Sequence, residues 1–454
     1  MAVRFVILGG GPAGNEAATV AARLGAHVTM IERDVVGGAA HLWDCIPSKA
    51  MIATGGAMAE TRRAPLMGLA RLEAELDVDA LKVRIAAIEQ RLNDSVRDLL
   101  ESQDVEILRG TGRLTGPHQV TADLDDGRTV EVDADAILIS TGSRPRIPDW
   151  ATIDGERVLT TRQAYPPPTM PEHLVVIGSG VTGVEFVHMF KSFGAEVTLI
   201  VSRQHVLPNK DPEVAAALEE DFLERGVRLF KGARATAIDR KGDEVVVSCD
   251  DGRVARGSHA LLAIGMVPNT EMLDLAAAGV ASDRGGFVPI NQHCQTNVAH
   301  IYAAGDVSGK LPLSSVASMQ GRKVAEHVMG LHTREHRHLD YEKAASAIFT
   351  EPEIADVGLA EVDAFAIGRK IRVTKVPFAA AAKAHIEGDT RGFVKIISDP
   401  NTGVVLGGSI VGRNAAELIS VIALAVTAGL KTTDLAESML VHPALAEALA
   451  EAAD

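Results

Sequence analysis

The chain has 454 residues, 46% hydrophobic and 23% charged, with 60 acidic residues against 45 Lys and Arg for a formal charge of −15. That length exceeds one core and suits about three domains of ~150 residues. The acidic balance excludes nucleic-acid and anionic-membrane partners, which demand positive charge. The three cysteines, Cys45, Cys249 and Cys294, are too few and too dispersed for a disulfide framework, so a reducing cytoplasm is the expected compartment.

Val3 to Leu8 is too short for a secretion leader and runs straight into a glycine turn, so it is predicted to be a buried strand. A G-x-G-x-x-G pattern follows in Gly9, Gly11 and Gly14, with Pro12 and Ala13 opening the next helix. The first glycine of such a pattern permits the tight turn, the second lets the backbone approach a pyrophosphate, and the third lets helix and strand pack. The phosphates then sit on free N–H groups at the helix N-terminus. A carboxylate ~20 residues further on holds an adenosine ribose through its hydroxyls. Glu32 stands there, followed by Arg33.

Leu81, Ile85, Ile88, Leu92, Val96 and Leu99 recur at helical spacing and predict an amphipathic helix packed on the body. Asp126-Gly127 is a hairpin signal. The strand ending in Ile137-Leu138-Ile139 should return the chain to its parallel sheet, placing Thr141 and Gly142 beside the nucleotide. The run Pro166-Pro167-Pro168 with Pro171 is expected to be a stiff linker and a domain boundary.

The first unit then repeats. Val175-Val176-Ile177 leads into Gly178, Gly180, Val181 and Gly183 at a constant offset of 169 residues from the first motif. The same offset pairs Glu16 with Glu185, Gly25-Ala26 with Gly194-Ala195, and Val28-Thr29 with Val197-Thr198. Two such motifs in one register, each between strand and helix, predict two dinucleotide sites. Asp251-Gly252 repeats the hairpin signal, and the chain returns through Leu261-Leu262-Ala263-Ile264-Gly265. Where the first unit has Glu32, the second has Val201, followed by Ser202 and Arg203. No carboxylate is there to repel a 2′-phosphate and Arg203 could pair with one, so NADPH or a relaxed choice is favoured over strict NADH.

Beyond Ile301 to Asp306 another helix should begin near Ser314. His332, His336 and His338 read as a hydrated connector rather than a metal site. A last α+β domain is expected from about residue 340. Leu418 to Leu430 is too short to span a bilayer, which needs ~20 apolar residues.

Gly37-Gly38-Ala39-Ala40-His41-Leu42-Trp43-Asp44-Cys45-Ile46-Pro47-Ser48-Lys49 resembles the redox motif of the flavoprotein disulfide reductases, such as dihydrolipoamide dehydrogenase and glutathione reductase. Ala303-Ala304-Gly305-Asp306 resembles their second FAD motif, whose aspartate holds the ribityl chain. Phe349-Thr350-Glu351-Pro352-Glu353 with Val357-Gly358 resembles the start of their dimerisation domain, and His442-Pro443 with Glu447 their C-terminal catalytic pair. The resemblance covers nearly the whole chain. It implies an α/β homodimer with two Rossmann-like domains binding FAD and NADP(H) or NAD(H), one inserted in the other, plus a C-terminal α+β dimerisation domain. The implied boundaries are 1–149 and 271–338 for the FAD and central parts, 150–270 for the nicotinamide domain, and 339–454 for dimerisation. Gly112, Asp306, Ser314 and Lys49 join the first motif, Arg33, Thr141 and Gly142 as implied flavin contacts. Gly265 joins Ser202, Arg203 and the second motif.

One departure decides the expected function. The family motif has two cysteines with four residues between them. Here Ala40 stands at the first position and only Cys45 remains, so no exchangeable disulfide forms. Cys249 and Cys294 read as structural. With Gly37-Gly38-Ala39-Ala40, Asp44-Cys45 and Leu311-Pro312-Leu313 followed by Met319-Gln320-Gly321-Arg322, the pattern resembles the lipoamide-dehydrogenase-like NAD(P)H:quinone reductases. The resemblance places Lys49, paired with Glu185, near flavin N5, where a cation favours the reduced flavin. It places Cys45 under the flavin, as a charge-donating thiolate, a sulfenic-acid peroxidase centre or an inert relic. His442 and Glu447 would reach the partner subunit's flavin, to protonate a reduced quinone or simply to pack. Leu440 replaces a histidine often found there. Ser314 would open a helix aimed at the flavin pyrimidine, or serve as a plain N-cap. The expected enzyme passes electrons from NAD(P)H through FAD directly to a small acceptor, a quinone. The rivals are a soluble transhydrogenase, a single-cysteine peroxidase, dihydrolipoamide dehydrogenase and a non-catalytic redox sensor.

Overall fold

The computed structural model describes residues 2–331 and 338–454. By its contacts the chain divides into two units, one of Met1–Ser48, Val78–Arg146 and Gly265–Tyr341, the other of Lys49–Asp77, Ile147–Ile264 and Glu342–Asp454. The connector expected at His332 and His336 lies outside the described residues.

The first unit is organised by a seven-stranded sheet in the order Ile301–Ala303, Ala136–Ile139, Arg4–Leu8, His27–Glu32, Glu106–Gly116, Gln119–Leu124, Thr129–Asp133. Phe5, Val6, Ile7 and Leu8 are all buried, as a parallel strand covered on both faces requires. Ala136–Ile139 returns parallel to that strand, in the register Phe5 to Ala136, as predicted. The hairpin expected at Asp126-Gly127 joins the last two strands, with Gly127 at φ +85°. Helix α1 (Pro12–Arg23) carries Pro12 in its first turn, where a missing N–H costs nothing. Short helix α2 (Gly38–Leu42) leads to α3 (Cys45–Arg63), which begins in this unit and continues in the other.

The predicted amphipathic helix is α4 (Val78–Glu101), and its inward face follows the predicted one except in the last turn. Leu81 and Ile85 are buried as expected, whereas Leu99 is 42% exposed and Leu100 is fully buried in its place. The last turn meets different neighbours: Leu100 packs with Ala21, Val28 and Val105.

The second unit contains the repeated motif. Its sheet runs Arg228–Lys231, Glu196–Val201, His173–Ile177, His259–Leu262, Val158–Thr160, all parallel, with α5 (Val181–Ser192) after the glycines and α6 (Pro212–Glu224) after the next strand. The proline run at 166–171 connects two strands of this one sheet, so it is an internal loop and not the boundary expected. Val158–Thr160 has already joined the sheet before the prolines begin. The same unit holds an antiparallel sheet of five strands drawn from Ser346–Ile348 to Val405–Val411. An apolar helix covers it, Ala415–Ala428, with Ile419 and Ile422 buried. In the first unit, α7 (Ser314–Val328) packs on α1 so closely that a Cβ on Gly321 would overlap the Ala13 carbonyl. No helix among the described residues is long and apolar enough to cross a membrane.

Buried His188 should make stability pH-dependent. His188 on α5 is 3% exposed, and its Nδ1 lies 3.1 Å from Nη1 of Arg225. Arginine can only donate, so Nδ1 accepts and the ring is neutral. Burial, helped by the charges of Arg225 and Arg391, pushes its pKa down to about 3. A depressed histidine keeps its stabilising effect above its ordinary pKa near 6.5 and loses it as the pH falls toward the folded value. His188→Gln should therefore flatten the acid limb of stability, removing about 2 kcal/mol of the loss between pH 7 and pH 5. Thermal midpoints of both proteins at the two pH values check this. An equal drop in the variant would mean that His188 is not the group responsible.

Candidate active site

The two glycine motifs build the same cradle twice. In the first unit Gly9 has φ +102°, and a Cβ there would sit 2.5 Å from the Ser140 carbonyl oxygen. A Cβ on Gly14 would overlap the Gly9 carbonyl. Gly11 differs: its φ is −71°, and an added Cβ would meet no atom within 4 Å. Neither the backbone nor the protein's packing demands glycine at that position. The open space over Gly11 leaves room for a group seated on the N-terminus of α1. The second unit repeats each feature. Gly178 has φ +109° and faces the Ala263 carbonyl, Gly183 packs on the Gly178 carbonyl, and Gly180, at φ −75°, has nothing within 4 Å. Each cradle fits a pyrophosphate.

The strand after each cradle differs as the sequence implies. Glu32 is buried, and its carboxylate accepts N–H groups from Gly10 at 2.6 Å and Asp34 at 2.7 Å. Burial raises its pKa against the opposing pull of those two N–H groups. Arg33 is exposed and pairs with Asp34. In the second unit Val201 is buried, while Ser202 and Arg203 are exposed at the strand end. Gly112 lies under the first cradle. A Cβ there would sit 2.5 Å from Cδ2 of Leu8, so packing accounts for that glycine. Thr141 hydrogen-bonds the Asn269 carbonyl through Oγ1 at 2.8 Å. Gly142 and Gly265 adopt positive φ of +66° and +101°.

Asp306 opens a single 3₁₀ turn, and its carboxylate accepts the Ser143 hydroxyl at 2.6 Å. The N–H of Gly305 donates to Oε1 of buried Gln320 at 2.7 Å, which fixes that turn against α7. Ser314 is the first residue of α7, one place after Leu313 at the N-cap, so it is not the capping residue. Its Oγ lies 3.4 Å from Sγ of Cys45. All three cysteines are free thiols. Burial raises the pKa of Cys249 and pushes that of Cys294 up to about 12, which disfavours the nucleophilic thiolate at both.

Lys49 follows Cys45 by one turn on α3. Within the second unit its Nζ lies 2.9 Å from Oε2 of Glu185 and 4.6 Å from the centroid of the Phe349 ring. The other carboxylate oxygen of Glu185 accepts the N–H of Phe349 at 3.0 Å. The Glu185 side chain is 9% exposed and that of Lys49 33%, so one ammonium face stays accessible while the pair is held on two sides. Phe349 was visible in the sequence only as part of a motif; its role depends on a backbone N–H and a ring face, which carry no residue pattern. Elsewhere in this unit His442 Nδ1 lies 2.7 Å from Glu447, whose other oxygen accepts the N–H of Ala444 at 2.9 Å. That N–H, and then His442, hold the Glu447 carboxyl below its ordinary value. The His442 side chain is 73% exposed. No group of three or more His, Cys, Asp or Glu among the described residues could hold a metal ion.

Residues 3–321 match the family described as pyridine nucleotide-disulphide oxidoreductase, and residues 344–453 match its dimerisation domain. A Mycobacterium tuberculosis protein named NAD(P)H dehydrogenase (quinone) is 43% identical, over all of this chain and 94% of its own length. A dihydrolipoyl dehydrogenase of Zymomonas mobilis is 35% identical over 98% of this chain and 96% of its own. Among solved structures, LpdA from M. tuberculosis shares 42% identity and superposes with a TM-score of 0.94, with 99% of each chain covered.

Proposed function

This chain belongs to the pyridine nucleotide-disulphide oxidoreductases, and from that premise we propose that it is a homodimeric NAD(P)H:quinone oxidoreductase that works through FAD without a redox disulfide. Bound FAD supplies the hydride-accepting and electron-donating centre. The observation that carries the reading is sulfur count and position: Cys45 faces the Ser314 hydroxyl, Ala40 fills the partner position, and Cys249 and Cys294 are buried thiols in strands and loops elsewhere. A dithiol relay has no second sulfur, so the acceptor must take its electrons from the flavin itself.

The remaining residues take roles that such an enzyme needs. The first cradle and Glu32 hold the adenosine diphosphate half of FAD, and Asp306, steadied by Ser143, holds its ribityl hydroxyls. The second cradle holds the nicotinamide nucleotide. Arg203, exposed where the first unit has a carboxylate, pairs with a 2′-phosphate. Glu185, pinned by the N–H of Phe349, keeps Lys49 in place, and the ammonium opposes the negative charge that reduction brings. Glu447 holds the Nδ1–H of His442, so a proton taken up on Nε2 gives an imidazolium that can pass it to a reduced quinone oxygen and return to the neutral ring. The family name of dihydrolipoyl dehydrogenase relatives does not transfer, because their chemistry needs the missing thiol.

Anaerobic mixing tests the proposal. NADPH should bleach the visible flavin absorbance of the purified protein, a benzoquinone or naphthoquinone should restore it rapidly, and lipoamide with NAD should turn over negligibly. Rapid lipoamide turnover would sink the reading, because electrons would then be leaving by a thiol route that Ala40 closes.

A further inference from the structure

The direction of the Asp306 carboxylate depends on the residue before it. Gly305 has φ +75° and ψ −158°, a conformation that only glycine adopts readily. Two bonds hold it there. Its carbonyl accepts the Ser308 hydroxyl at 2.7 Å, and its N–H donates to Gln320 at 2.7 Å. An N–H only donates, so the atom of Gln320 that faces it is the amide oxygen, and Nε2 must find an acceptor elsewhere. It donates to the Tyr341 hydroxyl at 2.9 Å, and that hydroxyl in turn hydrogen-bonds buried Cys294. Tyr341 thus fixes which way the amide faces. Gln320 is 1% exposed, which keeps water from replacing it as the acceptor.

Gln320 stands on a firm base. The next residue, Gly321, packs on the Ala13 carbonyl, which locks α7 against α1. Ser143 steadies the turn from the other side through Oδ2 of Asp306. We propose that Gln320 is a positioning residue for the flavin: by holding the N–H of Gly305 it aims the Asp306 carboxylate at the ribityl hydroxyls, and so sets affinity for the flavin half of FAD and not for its adenosine half. This role rests on Asp306 holding the ribityl chain, as proposed above. Without the amide oxygen, the turn of the flavin-free protein relaxes until water satisfies the Gly305 N–H. Binding the ribityl chain then forces the turn back and covers an unpaired N–H, so the cost appears in FAD affinity.

Calorimetry on the full chain, stripped of flavin, tests this by titration with FAD and with ADP. ADP shares the first cradle and Glu32 but has no ribityl chain. Gln320→Leu keeps the side-chain bulk and offers no acceptor. It should weaken FAD binding by about 10-fold or more and leave ADP affinity unchanged. Gln320→Glu keeps an oxygen for the Gly305 N–H and should recover part of the FAD affinity. Tyr341→Phe frees the amide to turn its oxygen away, so it should show the same split between FAD and ADP at smaller size. Unchanged FAD affinity in Gln320→Leu, or an equal loss for both ligands, overturns the role, and the same result in Tyr341→Phe overturns it if Gln320→Leu does not fold. Asp306→Ala tests the premise separately. If it weakens FAD binding while the Gln320 variant does not, only the positioning role falls. If it leaves FAD binding unchanged, the ribityl assignment falls and the role of Gln320 with it.

Discussion

Gly180→Val should give a folded, yellow protein that neither NADPH nor NADH can bleach. The position has φ −75° with extended ψ, a conformation any residue adopts, and an added Cβ would meet no protein atom within 4 Å. The fold therefore has little to lose beyond about 1 kcal/mol for a poorer residue at the start of α5. The nicotinamide nucleotide has much to lose. Its pyrophosphate must approach the backbone to reach the N–H groups of α5, and an isopropyl group stands in that path. An affinity loss of at least about 100-fold is expected from excluding those charge-assisted bonds. Gly11→Val applies the same argument to the first cradle, where the site is equally open at φ −71°, and should yield colourless protein. The pair separates the two sites: one variant keeps flavin and loses nicotinamide, the other loses flavin. Flavin content and anaerobic NADPH titration read both. Normal bleaching of Gly180→Val would remove the second cradle as the nicotinamide site.

Those glycines also mark the part of the molecule that the sequence makes legible. A strand, a turn and a helix are local, so their apolar runs and glycine spacing stand in the chain in the order they fold, and the repeat at offset 169 doubled the signal. Ala40 was equally plain, because a missing cysteine is a single letter. What the sequence did not reveal depends on neighbours distant in the chain. The prolines at 166–171 look like a linker locally, yet Val158–Thr160 has already paired with His259–Leu262. Leu99 and Leu100 carry the same side chain, and only the core around Val105 decides which is buried. Phe349 reaches Glu185 across 164 residues through its backbone N–H. Gln320 was one letter of a motif, and its bond to the N–H of Gly305 appears only in three dimensions.

Lys395 belongs to the same class, and Lys395→Met should strongly destabilise the second unit. It lies in the strand Phe393–Ser398, is 1% exposed, and its Nζ contacts Asp211 at 3.0 Å, Glu361 at 3.0 Å and Glu213 at 2.5 Å. Burial opposes its charge, but the carboxylates of Glu213, Glu361 and Asp211 outweigh that and raise its pKa. A lysine with a raised pKa contributes its stability below its ordinary value near 10.4 and loses it above, so the contribution is complete at pH 7. Glu213 and Glu361 keep access to water, whereas the Asp211 side chain is 6% exposed and would retain only the N–H of Glu213 that it caps. Removing one partner of a buried pair leaves the other charge uncompensated, at about 3–5 kcal/mol. In a domain of this size that corresponds to a fall of roughly 10 °C in thermal midpoint. The double variant Lys395→Met with Asp211→Asn should recover most of the loss, since asparagine still caps α6 and carries no charge. If the double variant falls as far as the single one, the cost lies in lost packing around the lysine stem and not in the stranded carboxylate.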